Sequence, residues 1–587
     1  MPGLSAIAGA VVDETVEQAL SSVCFTDRYE RTTRLDTGGL RVAETSYESY
    51  PVRSFEIDGY RVFFEGYLYG VEDTAAAVAD VLPSLVADRH RAVAEWIAAR
   101  DGEFVIAVVD PESETLWVCN DQFARLPLFH ARVGETHIVS RELGFVRELA
   151  RQTDDGFTID RLGTAQLLLF GYPLGTRTLF DGVTMLPPGG VLRIDGSREV
   201  ERVQQFDLGG DRHAEKDRET NAKALESRFV EACEARAAAG GQNIVALSGG
   251  MDSRTALAGY EAADGVAFAA TSSPPHRAER GEARVASELA DRVGVDWRWY
   301  ASDPTNRHHE ELLAMAQGMN SLANAAGLDF CESVAHEHPG ATLVTGDGGD
   351  KALPDLTPAH SLDSKTDLVD TLLRSQHRLS VEDAAGIAGI SPNRLVDSVE
   401  ARIDSYPESA LEDRYVHFLV RERGINWLNH GEERTRNHLW ATTPFYAPDF
   451  FFYAMQCPPD QKSRRDLYRS FLRELSDEAV AVEYADFGAS IDSLEFRVKQ
   501  TAYDALDRFP RVKTTVVDLF RTLERTESDV SAEIRQLTDA DDGDQFTPAA
   551  VRRTVRDGNY SDSALYTLYT VLAARHGALA DRQPKFA

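Results

Sequence analysis

The sequence predicts an α+β amino-terminal half, an α/β middle built on a parallel sheet, and a largely helical carboxy-terminal region. Three observations predict it. Up to about residue 205, short apolar or β-branched runs are bounded by Gly, Asp and Glu, the texture of short strands. Beyond that point strand, helix and strand patterns follow one another within ~30 residues, the spacing of a βαβ unit with parallel strands. From about Ser361 the pattern is mainly helical. With 587 residues, about four times a usual single core of ~150, the chain should form two to four domains.

In the first half the expected strands are Ala6 to Val12, Tyr60 to Phe64, Phe104 to Val109, Thr115 to Asn120 and His137 to Ser140. Helical spacing of Ala and Leu predicts helices over Thr74 to Ala87 and Ala92 to Ala99. The polar stretch Asp207 to Thr220 has no apolar period and reads as a linker. A helix over Asn221 to Ala238 then precedes the strand Asn243 to Leu247, a Gly turn, a helix from about Ser253 and the strand Val266 to Thr271. Another helix, Glu282 to Val293, leads to Asp296 to Tyr300, and the strand Ala341 to Val344 ends in a second Gly-rich turn. The last ninety or so residues read as helices with acidic loops such as DADDGDQF.

Charge excludes some functions. Ninety-five Asp and Glu against 62 Lys and Arg leave a net charge of −33, a field that opposes encounter with a phosphate backbone, so no nucleic acid partner is expected. Acids spread along the chain, with Lys rare beside Arg, resemble the composition of proteins from salt-loving organisms, where salt screens self-repulsion. Five isolated cysteines, without a CxxC pair, predict neither a metal cluster nor a disulfide framework and fit a reducing cytoplasm. No apolar run reaches the ~20 residues of a membrane helix, so no membrane partner is expected.

The segment with the most chemistry is Asn243-Ile-Val-Ala-Leu-Ser-Gly-Gly-Met-Asp-Ser253, a buried-type strand running through SGGMDS into a helix. Gly249 and Gly250 let backbone N–H groups approach an anion, and the helix start adds partial positive charge. This predicts a pyrophosphate cradle. It lacks the GxxxxGK[ST] of a Walker loop, and Asp252 would repel a phosphate unless a divalent cation lies between them, which points to Mg²⁺. A second Gly-rich turn, Thr345-Gly-Asp-Gly-Gly-Asp350, follows another strand of the same sheet.

SGGMDS resembles the ATP-pyrophosphatase loop of asparagine synthetases and β-lactam synthetases, which adenylate a carboxylate and let an amine displace AMP. The 345–350 turn is similar to that family's SGEGxDE loop, and Pro458-Pro-Asp-Gln-Lys462 with Tyr468-Arg-Ser-Phe-Leu-Arg473 resembles its PxxxK…KxxLR pattern. The resemblance implies that Leu247, Ser248, Gly249, Gly250, Ser253 and Gly346 bind ATP, that Asp252 and Asp350 hold Mg²⁺, that Asp347 helps deprotonate the attacking amine, and that Arg469 stabilises developing charge. Departures are visible: Lys351 stands where the family has a last acid, Arg469 where it has Lys, and Thr442 and Ala447 replace the Arg and Asp flanking its Pro-Phe, here Pro444-Phe445. Glu282 fits the family's acid ahead of an Ala-x-x-x-Ala helix, but reads first as part of a solvated helix face.

The amino-terminal half resembles the family's class II glutaminase domain: Ser5-Ala-Ile-Ala-Gly9, Phe64-Glu-Gly-Tyr-Leu-Tyr69, Asp121-Gln-Phe-Ala-Arg-Leu-Pro-Leu128 and Thr178 to Gly189 align with its motifs in order. The resemblance thus implies an Ntn-hydrolase-like sandwich over 1–205, an ATP-pyrophosphatase domain of the adenine nucleotide alpha hydrolase-like kind over 206–490, and a helical extension over 491–587. The glutaminase is expected to be inactive. Such a nucleophile uses its own α-amino group as base, whereas four residues precede Ser5, and Glu65 places charge where an oxyanion would form.

The expected function is an ATP-dependent carbon–nitrogen ligase acting on a small carboxylate with ammonia or an amine. An amide ligase of glycan or peptide tailoring and a non-catalytic ATP-binding paralogue remain open, with a tRNA-modifying adenylase disfavoured by charge. A homodimer is compatible with the sequence.

Overall fold

The computed structural model describes residues 2–576 except 154–155, 196–197, 203–207, 209–211, 276–280, 303–304, 508–529, 541–545 and 558–559. Parts of the expected linker (207 and 209–211) and of the acidic DADDGDQF loop (541–545) therefore lie outside the described residues.

The amino-terminal half is two six-stranded antiparallel sheets. The first runs in the order Val183–Met185, Phe129–Val133, Thr136–Ser140, Gly3–Ala8, Leu40–Ser46, Glu30–Asp36; the second in the order Arg198–Arg202, Gly190–Ile194, Thr115–Asn120, Gly102–Asp110, Tyr60–Leu68, Val52–Ile57. Alternation along each strand gives two apolar faces. Leu4, Val42, Val105, Ala107, Val118 and Leu192 meet between the sheets. On the outside, Phe64, Ile106 and Val108 pack under the helices Thr74–Leu85 and His90–Ala98, while Ile7, Phe129 and Ile138 pack under Asp13–Ser22 and Leu143–Thr153. The result is a helix–sheet–sheet–helix sandwich.

Several strands escape a sequence reading for physical reasons. Glu30–Asp36 and Val52–Ile57 are edge strands with no fully buried residue, so they carry charged residues instead of an apolar alternation. The first strand is Gly3–Ala8, three residues earlier than expected. Its pairing with Leu40–Thr45 on one side and His137–Ser140 on the other sets that register and puts Ser5 mid-strand.

The second half is a five-stranded, wholly parallel sheet in the order Trp297–Ala301, Phe268–Ser273, Asn243–Ala246, Thr342–Val344, Trp440–Thr442. The expected βαβ unit is present as Asn243–Ala246, the helix Met251–Ala262 and Phe268–Ser273. The chain builds outward from 243–246 in one direction, then returns to place 342–344 on its other side. That reversal opens a crevice at the carboxyl ends of those two strands, where an open α/β sheet binds its ligand.

The carboxy-terminal helices Val530–Ala540, Pro548–Asp557 and Asp562–His576 share one apolar core with Leu143–Thr153, Arg161–Phe170 and the helices between 365 and 418, so they brace both halves. Among the described residues no helix is long and apolar enough to cross a membrane. All five cysteines are free thiols, and burial pushes the Cys119 thiol up to about 12, consistent with a packing role.

Candidate active site

Strands 243–246 and 342–344 pair in register, Val245 opposite Val344, so the loops that follow leave the sheet side by side. The first loop is cross-tied by its own serines. Ser253 Oγ lies 2.9 Å from Ser248 Oγ and accepts the Ser248 N–H at 3.1 Å, while Ser248 Oγ accepts the Gly250 N–H at 3.1 Å. Arg254, wholly buried, donates to the carbonyls of Ala479, Val482 and Glu483 at 2.7–2.8 Å and so fastens the loop to the segment after 478. No local signal marks Arg254 in the sequence, because its partners are more than two hundred residues away.

The second loop is held against the first by close approach. A Cβ on Gly346 would meet the Ser253 nitrogen at 2.6 Å, and one on Gly349 would meet Asp252 Cγ at 2.7 Å, so neither position has room for a side chain. Asp252 therefore faces the turn that carries Asp350. Tyr468 Oη donates to Asp252 Oδ1 at 2.7 Å. Burial first, and the neighbouring Asp350 second, push the Asp252 carboxyl up to about 7.

Asp347 is half-buried on the same loop. Its carboxyl is raised by burial, with Arg125 and Arg434 opposing the rise, and its carbonyl accepts a 2.9 Å bond from Thr443 Oγ1. Lys351 is buried and ion-paired to Asp350.

Arg469 does not face this crevice, contrary to the expectation for it. Its Nε donates to the Ile491 carbonyl at 3.1 Å, Nη1 pairs with Asp466 at 2.9 Å, and its guanidinium lies over Phe496. One helical turn earlier, Arg464 and Arg465 both adopt left-handed backbone (φ 53° and 59°), a strained pair that turns the chain. That turn brings the Arg465 guanidinium to Met251 Sδ and Tyr484 Oη and into the field of Asp252. Arg465 is thus the arginine at this crevice, and a period-based reading of the helix 466–475 misses it because the turn precedes the helix. Glu282, also named from sequence, is exposed at the start of Gly281–Val293, where its Cα lies close to Gly249.

Two carboxylates brought together in a half-buried crevice fit a divalent cation, which removes the repulsion that raises Asp252. Among the described residues, no group of three or more His, Cys, Asp or Glu could hold a metal by itself. A cation here needs ligand oxygens from outside the chain, as Mg²⁺ takes them from a triphosphate.

The amino-terminal pocket is built in the opposite manner. Ser5 is internal to a strand and buried, with its Oγ 2.7 Å from Ser140 Oγ. Glu65 accepts the Leu4 N–H at 2.9 Å, Tyr50 Oη at 2.6 Å and Arg141 Nε at 2.8 Å. Arg141 continues to Glu433 at 2.5 Å, Glu433 to Arg436 at 2.9 Å, and Arg436 to Glu103 and Glu432 at 2.9 Å. Arg125 closes the ladder onto Glu432 and lies over the Tyr446 ring at 4.3 Å. Beside Ser5, buried ion pairs tie the two halves together.

Comparison with known proteins agrees with this layout. Residues 84–206 match the family model of a glutamine amidotransferase domain and residues 224–485 that of asparagine synthase. No curated protein matches the chain. Similar solved structures include glutamine phosphoribosylpyrophosphate amidotransferase from B. subtilis, complexed with ADP and GMP, and a structure of the allosteric regulatory enzyme of purine biosynthesis. Each is 12% identical with a TM-score of 0.24 over 70% of this chain, covering 94% and 93% of the other. The chain carries the two-domain architecture of the asparagine synthetase-like family, that of an ATP-dependent amidotransferase or ligase, on an antiparallel two-sheet sandwich and a parallel-sheet domain.

Proposed function

We propose that the chain is an amide-forming ligase of the asparagine synthetase type, which activates a small carboxylate as its acyl-adenylate with release of pyrophosphate and then transfers ammonia or an amine to it. The observation that carries this reading is the pairing of Asp252 with the Asp350 turn at the switch point of the parallel sheet, made possible by Gly346 and Gly349. Asp252 and Asp350 would hold Mg²⁺, which when bound supplies charge neutralisation for the triphosphate. Ser248, Gly249, Gly250 and Ser253, with Leu247 and Gly346 beside them, would receive the pyrophosphate portion of ATP at the start of the 251–262 helix. Asp347, with its carboxyl raised, is suited to take a proton from the attacking amine. Arg465 offers positive charge to the same crevice.

The ion pairs at Glu65 and Arg141, and the mid-strand position of Ser5, support a nitrogen source other than glutamine. An amide ligase of glycan or peptide tailoring has the same crevice and differs only in the acid it accepts. The Lys351–Asp350 pair favours a further reading, a paralogue that binds nucleotide without catalysis. ATP–pyrophosphate exchange across a panel of carboxylates, with and without ammonia, separates these: exchange stimulated by an acid supports the ligase, and none with any acid overturns it in favour of the paralogue.

A further inference from the structure

A second cavity, of about 180 Å³, lies between the two halves, with Tyr172, Arg378, Arg423 and Trp427 in its wall. Its wall comes from separate stretches of the chain. Phe170 and Tyr172, with rings 6.1 Å apart and nearly parallel, follow the helix Arg161–Phe170; Arg378 follows Lys365–Ser375; Arg423 and Trp427 stand on a π-helical stretch, Leu419–Leu428. Single π-turns cluster at functional sites, because the extra residue redirects side chains that an α-helix would point elsewhere.

Three features of this wall call for a ligand. Tyr172 is 3% exposed, and its hydroxyl has no hydrogen-bond partner among the described residues. An orphaned hydroxyl of that kind costs free energy unless something outside the chain accepts from it. Arg378, half-buried, and Arg423, exposed at the cavity mouth, have no carboxylate within ion-pair distance among the described residues, in a chain with 33 more acids than bases. The two unpaired guanidinium groups also repel each other, and Arg378 is lowered by burial and by Arg423. Finally, Arg378 is held in place: its Nη1 donates to Ser563 Oγ at 2.8 Å and Thr567 Oγ1 at 3.2 Å, both on the last helix, Asp562–His576. The helical extension thus positions a cavity arginine.

The π-helix also touches the crevice. Gly424, next to Arg423, abuts Lys351 and Tyr446, since a Cβ there would lie 3.7 Å from Lys351 Cγ and 3.2 Å from Tyr446 Oη. The geometry points to this cavity as the recognition pocket for the far end of the acid activated at the crevice, a second carboxylate carried on a planar unsaturated or aromatic body. This rests on the ligase reading. Two guanidinium groups and a phenol match the planar oxygens of a carboxylate, and the rings of Phe170, Tyr172 and Trp427 suit a flat body.

The test separates the pocket from the chemistry. The full chain is titrated calorimetrically with isophthalate in the absence of ATP, at constant ionic strength. One site per chain is expected, with Arg423→Gln and Tyr172→Phe each weakening it about tenfold, the cost of losing a hydrogen bond to a charged group. Neutral benzamide should not bind. Unchanged thermal midpoints establish that both variants are folded; Arg423 is exposed and the tyrosine change removes only an oxygen. No isophthalate binding, equal binding by parent and both variants, or inorganic phosphate binding at these residues while isophthalate does not, each overturns the proposal. If isophthalate binds but no acid stimulates ATP–pyrophosphate exchange, the pocket stands and the ligase reading falls. If acids stimulate exchange with KM values the two variants leave unmoved, the ligase stands and this pocket falls.

Discussion

Two polar centres of this molecule, one buried and one open to solvent, have been built on opposite rules. In the amino-terminal pocket each guanidinium faces a carboxylate: Glu65, Arg141, Glu433, Arg436, Glu432 and Arg125 form one ladder. In the crevice of the parallel sheet, like faces like, Asp252 against Asp350, and in the nearby cavity Arg378 against Arg423. A polar centre that satisfies itself is doing a structural job, because no ligand could improve it. A centre that keeps like charges as neighbours, even with Lys351 on Asp350 and Tyr468 on Asp252, still gains from an opposite charge brought from outside, and the difference helps to separate scaffold from site.

The strongest way to break this comparison is at Asp252. Asp252→Asn should abolish carboxylate-stimulated ATP–pyrophosphate exchange, since the loss of metal charge stabilisation is several kcal/mol, on the order of a thousandfold or more. The same change should raise the thermal midpoint of the chelator-treated protein at pH 8. A carboxyl raised from 3.8 to about 7 disfavours the folded state wherever it is ionised, so the parent's penalty is full above pH 7 and fades as the pH falls through 7 toward 4. The gain from the amide should therefore shrink over that same window. Near-parental exchange, or a lowered midpoint at pH 8, would remove Asp252 from the metal site.

In the ladder, substitution should act on folding instead. Arg141→Met leaves Glu65 and Glu433 buried without their shared partner, and breaking a buried pair costs about 3–5 kcal/mol. Denaturant unfolding should show a loss of that order; a loss under 1 kcal/mol would mean that the ladder is not load-carrying for the domain junction. A smaller contrast lies between two arginines four residues apart. Arg465→Met should lower exchange about tenfold, because a charge near Asp252 is lost, while Arg469→Met should leave exchange within about twofold and lower the thermal midpoint through its lost bonds to Asp466 and Ile491. The reverse pattern would restore Arg469 to the site. The smallest effect is expected at Ser5: Ser5→Ala should leave ammonia-supported turnover intact and cost about 1 kcal/mol for its hydrogen bond to Ser140. A selective loss of glutamine use would instead assign Ser5 a catalytic role.

Much of the fold is legible because it is local. Thr115–Asn120 stands where its β-branched run places it, Gly281–Val293 begins one residue before the expected helix, and SGGMDS joins a strand to a helix as its composition requires. The strands that escape are those whose pattern is erased by position: the polar edges Glu30–Asp36 and Val52–Ile57, and the three-residue Trp440–Thr442, too short to display any period. At the crevice, the glycines and acids of both loops are visible in sequence because backbone approach and charge restrict the residue type. Arg254, Arg465 and Tyr468 are not, since an arginine or tyrosine on a helix flank looks the same whether it meets solvent or a carboxylate.

The sequence by itself determined the order of domains and the two Gly-rich loops, because each is written within a few consecutive residues. Only the tertiary structure decided which charges meet: that Arg141 is absorbed by Glu65 and Glu433, that Asp252 faces the turn of Asp350, and that Arg378 and Arg423 share a cavity with a phenol that has no partner among the described residues. Electrostatic energy depends on distances between residues as far apart in sequence as 65 and 433, and no local pattern encodes those distances.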